Sequence, residues 1–191
     1  MANNKVTFGL TNVHYSIATQ GADGTWSYAN PVRLIGAQEF TSDIVGGNSQ
    51  VYADDAVIAT LIQNAGRTIS LKVTELTDEF KVDILGYKKL TNGNLVEITN
   101  ASVVTFALGI EFQGDVKARR TWFYLCTVTP INEASKTKGD SVEANAITLN
   151  ITARPIDINA KYKTTHITSC LGDANYANFL TSAPELPEIT E

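Results

Sequence analysis

Residue types that carry catalysis or bind metals are scarce in this 191-residue chain, which has two cysteines, two histidines and one methionine. Cys126 and Cys170 form no CxxC pair and have no clustered histidine, which excludes the common zinc and thiol-redox patterns and leaves two free thiols. His14 and His166 lie far apart in strand-like sequence and read as structural side chains rather than general bases. There is no GxSxG elbow, GxxxxGK[ST] loop, GxGxxG turn, HExxH pair or EF-hand loop. The chain is therefore expected to be no enzyme and to hold no cofactor and no metal. No apolar run approaches the roughly 20 residues that a membrane-spanning helix needs, so no membrane partner is expected. The opening MANNKVTFGLTNVHYS has no basic segment followed by a continuous apolar one, which argues against a secretory signal. Without such a signal the sequons at Asn100 and Asn150 carry no weight. Positive charge is also in deficit: 15 Lys and Arg stand against 20 Asp and Glu, a net charge of -5. A field of that sign repels nucleic acid unless a local basic cluster overrides it.

What the chain does have is period-two alternation, which sends successive side chains to opposite faces of a sheet. Ile69, Leu71 and Val73 alternate with Ser70, Lys72 and Thr74, and Ile147, Leu149, Ile151 and Ala153 with Thr148, Asn150 and Thr152. Both read as half-buried strands. β-branched and aromatic content adds strands at 5–10, 13–18, 50–63, 94–98, 103–112, 116–128 and 162–168. Turn residues separate several of them: Asn64-Ala65-Gly66, Asn92-Gly93, Gly114-Asp115 and Lys138-Gly139-Asp140. The expected class is mainly β, an antiparallel sandwich or barrel-like domain over 1–180.

One helix interrupts the strands. In 77–86, TDEFKVDILG, Thr77 can cap the first turn, Asp78 and Glu79 suit the helix dipole, and Gly86 can end the element. Phe80, Ile84 and Leu85 form the stripe that docks on the sheet. A short helical turn is expected within 173–180, from Tyr176, Phe179 and Leu180. Beyond it, SAPELPEITE carries two prolines and three glutamates, which predicts an extended or mobile tail over 181–191. Gly46-Gly47 in TSDIVGGNSQ predicts a long loop over 41–50, and 130–141 a second one.

Two stretches invite a chemical reading. Asp54-Asp55 is the most suggestive carboxylate pair, yet neighbours on a strand face opposite ways, so the pair fits a solvent-facing or partner-facing position better than a shared ligand. DVKARRTWFYLCTV, residues 115–128, sets basic residues beside three aromatics, as a nucleic-acid site would. A two-residue turn at Gly114-Asp115 would pair 113 with 116 and decide the matter by register. Val104, Phe106, Leu108 and Ile110 then share a core face with Leu125, Phe123, Thr121 and Arg119. Thr105, Ala107 and Gly109 make room on the other face for Tyr124, Trp122 and Arg120, with Arg120 near Glu111. That register scatters the cations and rings, so the stretch reads as a hairpin.

The order of these features is similar to that in a known family. NKVTFGLTNVHYSI, YANPVRLIGA, VYADDAVIATL, TDEFKVDILGY, FALGIEFQGDVKARRTWFYLCTVTP and EANAITLNITARPI together resemble the major tail protein of long-tailed phages of Gram-positive bacteria. The resemblance covers nearly the whole chain and implies a tail tube protein of the virion, assembled in the bacterial cytoplasm. Six-membered rings would stack into a hollow tube, with a long loop and terminal segments bridging the rings. Implied partners are further copies of the chain, the tape measure, tail terminator and distal tail proteins, and double-stranded DNA that passes without specific binding. Gly46, Gly47, Tyr52, Asp54, Asp55, Arg120, Trp122 and Tyr124 are the candidate intersubunit residues. The same fold would also serve a phage-derived bacteriocin or secretion tube. A reading of another class is a carbohydrate-binding sandwich, with Trp26 and Tyr28 of GTWSYAN stacking on sugar rings.

Overall fold

The alternating segments become ladders directly. In the computed structural model, which describes residues 9–53, 55–115, 117–132, 146–159 and 161–189, the chain is mainly β. The first strands are β1 (Leu10–Gln20), β2 (Trp26–Tyr28), β3 (Val32–Arg33), β4 (Ala37–Ala53) and β5 (Ala56–Val73). After the helix α1 (Asp78–Asp83) come β6 (Lys88–Lys89), β7 (Leu95–Val96), β8 (Phe106–Phe112), β9 (Arg120–Val128) and β10 (Ile147–Ala153). Short strands β11 (Ile156–Asp157), β12 (Lys163–Thr164) and β13 (His166–Ser169) and a 3-10 turn at Tyr176–Asn178 complete the described elements.

The main sheet runs β2-β1-β8-β9-β10-β5-β4, with β3 paired to β1 and β13 to β9, and every pairing in it is antiparallel. It curls so that its β4 end folds over its middle: Phe40 of β4 packs its ring 6.2 Å from Phe112 of β8 and 5.6 Å from Phe123 of β9. The enclosed core draws Val13 and Tyr15 from β1, Ile69, Leu71 and Val73 from β5, Phe106, Leu108 and Ile110 from β8, and Leu149 and Ile151 from β10. These are the inward positions of the period-two pattern, and their burial is the main stabilising term.

α1 closes one side of this core. Thr77 caps it by accepting from the Phe80 amide at 3.3 Å, and Phe80 meets the Tyr15 ring edge-on at 5.1 Å. Phe80 and Ile84 are buried, and Gly86 takes a φ of 75° just beyond the helix.

Three expectations are corrected. Residues 41–50 are not a loop: they continue β4, paired through Gly46↔Asn64, Gly47↔Gln63 and Gln50↔Thr60. Nor does Asn64-Ala65-Gly66 separate two strands, because β5 runs through it and the register merely shifts opposite Val45 and Gly46. Gly66, at φ 138°, supplies a backbone that other residues rarely adopt, so the turn residues make a bulge instead of a reversal. The reversal falls instead between the paired Ala53 and Ala56, inside the expected 50–63 strand, where Asp55 has φ 61°. Asp54 itself, residues 5–8 of the first expected strand, the 138–140 turn with most of its loop, and the last two residues of the tail lie outside the described residues.

The β8–β9 hairpin keeps its expected faces with a different turn. Its ladder pairs Glu111↔Arg120, Gly109↔Trp122 and Leu108↔Phe123, two residues out from a tight turn at Gly114-Asp115. Asp115 accepts from the Lys117 amide at 3.2 Å and also binds Arg119, which stabilises the wider loop. A shift of two preserves sidedness, so Phe123 stays in the core and Trp122 on the opposite face. Leu125 does change sides. Its φ of 42° makes a bulge, and Cys126 takes the core position in its place.

Candidate interaction surface

Beyond the bulge at Gly66 the paired β4 and β5 strands form a ribbon whose described residues belong to no buried cluster. Ile44, Val45, Val51, Tyr52, Val57, Ile58 and Leu61 are all exposed, Ile44 at 60%, Tyr52 at 65%, Ile58 at 63% and Leu61 at 61%. Asp54 and Asp55 are the only charges between Ile44 and Ala65. The register places apolar side chains on both faces, so curling the ribbon onto its own sheet could cover only one of them. A two-stranded ribbon with no packed face is marginal in water, and exposed apolar area of this kind marks an interaction site. β4 also ends the strand order, so among the described residues its outer half is laddered to β5 alone and its far edge is open for pairing.

Four of the candidate residues gather on this ribbon. A side chain on Gly46 would collide with the Gln63 carbonyl oxygen, whereas Gly47 faces open space. Tyr52 lies near the tip with its hydroxyl on Gln50 Oε1 at 2.7 Å, and Asp55 is exposed in the turn. Sequence reasoning missed the apolar residues around them, because splitting the ribbon into a loop and a strand hid its shape. The available signal was the near-absence of charge on both sides of a central Asp-Asp.

Arg120, Trp122 and Tyr124 sit elsewhere, on the outer face of β9, and the chain's own C-terminal segment covers them. Trp122 Nε1 donates to the Phe179 carbonyl at 2.6 Å and the Tyr124 hydroxyl to that of Glu185 at 2.6 Å. Arg120 donates to the Tyr176 carbonyl at 2.6 Å, stacks 4.2 Å from the Tyr176 ring and pairs with Glu111 at 3.1 Å. Phe179, Leu180 and Pro184 are buried in this contact. Trp26 and Tyr28 are half-buried against the Tyr124 and Leu125 side of the sheet, which makes them packing groups and a poor platform for sugars.

The titratable groups are structural in their surroundings. Burial pushes the Cys126 thiol up and holds His14 and His166 below the usual imidazole range. His14 Nδ1 lies 2.8 Å from the Asn12 carbonyl, and His166 stacks on Phe123 at 5.6 Å. Among the described residues no group of three His, Cys, Asp or Glu is placed to hold a metal, and no helix is long and apolar enough to cross a membrane. Compared with known proteins, the sequence matches no family model and no curated relative.

Proposed function

We propose that the chain is the subunit of a homopolymeric tube, the tail tube protein of a long-tailed phage. Hexameric rings of the curled sheet stack into the conduit for genome delivery, and the tube ends meet the tape measure, terminator and distal tail components of the virion. The apolar β4–β5 ribbon is the observation that carries this reading. It is too exposed to be at rest on a lone subunit, and copies of the same chain supply the cover that a polymer needs. The open edge of β4 supports the reading, since pairing between subunits satisfies backbone groups that one subunit leaves to water. So does the net charge of -5, which disfavours tight DNA binding along a lumen that the genome must slide through.

Negative-stain electron microscopy and sedimentation velocity over rising protein concentration test the proposal. Rings and tubes of uniform width are expected for the native chain, and dispersed subunits for Ile58→Thr with Leu61→Thr. A native chain that stays monomeric at high concentration, or a double variant that still makes tubes, would overturn it.

A further inference from the structure

The C-terminal segment is fastened in an unusual way. After the Leu171 amide bonds the Lys117 carbonyl at 2.8 Å, the described backbone bonds of residues 173–189 are local ones within the segment. Pro184 and Pro187 have no amide hydrogen to give to a ladder. The segment is instead held from below, by side chains of one strand reaching its main-chain carbonyls: Arg120 to Tyr176 and Ala177, Trp122 to Phe179, and Tyr124 to Glu185. Its apolar anchors, Phe179 and Leu180, form a small cluster with Ala107 and Trp122 on the face away from the main core. A cavity of about 470 Å³ remains beneath it, lined among others by Trp122, Ile167, Phe179 and Pro184. The Tyr28 ring packs against the same cluster.

We infer that residues 176–189 are a releasable strap and that Arg120 is its catch. The strap opens as a unit without unfolding the main sheet, because its anchors are separate from the main core and its bonds are not part of the ladder. Asn12 and Glu111 aim the catch: Asn12 Nδ2 donates to Glu111 Oε2 at 2.7 Å, and the same oxygen holds Arg120 Nε at 3.1 Å. That leaves Arg120 Nη1 directed at the two strap carbonyls, at 2.6 and 3.3 Å. Opening uncovers Trp122, Ala107 and Ile167 as an apolar face. The inference rests on contacts within one chain and stands apart from the tube reading.

Hydrogen exchange of the full chain tests it at the bonded strap amides of Tyr176, Asn178, Phe179, Thr181 and Ser182. Arg120→Lys keeps a charge beside Glu111 but cannot span it and both carbonyls. Exchange at those five amides is expected to rise about tenfold or more, as loss of a charge-assisted bond implies, with amides in β5, β8 and β10 unchanged. Trp122→Phe, which keeps an aromatic ring and removes the bond to Phe179, is expected to act on the same five amides. Unchanged strap exchange in both variants, or an equal rise across the sheet ladders, would overturn the inference.

Discussion

The β4–β5 pair is one ribbon living in two environments. In its inner half Phe40 faces the rings of Phe112 and Phe123, and Ile69, Leu71 and Val73 are completely buried. In its outer half Ile58 and Leu61, residues of the same kind on the same strand, stand in solvent. The ladder is continuous through both. Strand propensity and pairing therefore do not distinguish them; what differs is whether another layer of the same chain covers the ribbon.

The largest expected effect comes from breaking the inner half. Leu71→Ala should destabilise the subunit by about 2–5 kcal/mol, because it removes buried methyl groups and leaves a void in a closed core. Urea denaturation reads this, and a loss below about 1 kcal/mol would mean that the core is looser than its burial indicates. Next in size is Gly109→Ala on the opposite sheet face, where the new Cβ would lie 2.8 Å from both Trp122 Cζ3 and Leu180 Cδ2. It should cost about 1–3 kcal/mol by overpacking and loosen the strap amides as well.

Acidification probes the sheet more gently. His14 and His166 are held below their ordinary value of 6.5 by burial, so the unfolded chain binds more protons through that window. Stability is then complete above about pH 6.5 and falls as pH drops toward the lowered values. Asp23 and Asp115 are also held low, by bonds to Thr25 and Arg119, but their share is lost only below about pH 4. The urea midpoint should drop between pH 7.5 and 5.5, with a smaller drop in the His14→Gln, His166→Gln double variant. An unchanged native midpoint over that interval would contradict the burial of both rings. The smallest effect belongs to the outer half of the ribbon: Ile58→Thr with Leu61→Thr should move subunit stability by only about 0.5 kcal/mol per site while removing assembly. A large stability loss there would show the ribbon packed on its own subunit and erase the contrast.

Much of the architecture was legible beforehand for local reasons. Alternation at 67–74 and 147–153 marked the paired strands β5 and β10, and Thr77, Phe80 and Ile84 marked a capped helix with a buried stripe. That Trp122 lies on the face of β8 that carries Ala107 and Gly109 followed from size complementarity, but its expected partner was Ala107 and its observed one is Gly109, because the turn is wider than a two-residue link. The ribbon was not legible, because Gly46-Gly47 and Asn64-Ala65-Gly66 carry loop and turn residues that pairing absorbed into strands. Nor was the cover on Trp122, since nothing in SAPELPEITE states which surface it will meet.

Sequence by itself determined the β class, the helix and its cap and the sidedness of most strands, because these depend on side-chain periodicity and residue chemistry close along the chain. Tertiary structure alone decided where the long hairpin turns, that Leu125 and Cys126 exchange faces, that the Arg120, Trp122 and Tyr124 face is roofed by residues 176–189, and that Ile58 and Leu61 are left outside. Those outcomes depend on how far-apart segments compete for the same surface, a competition that no local pattern records.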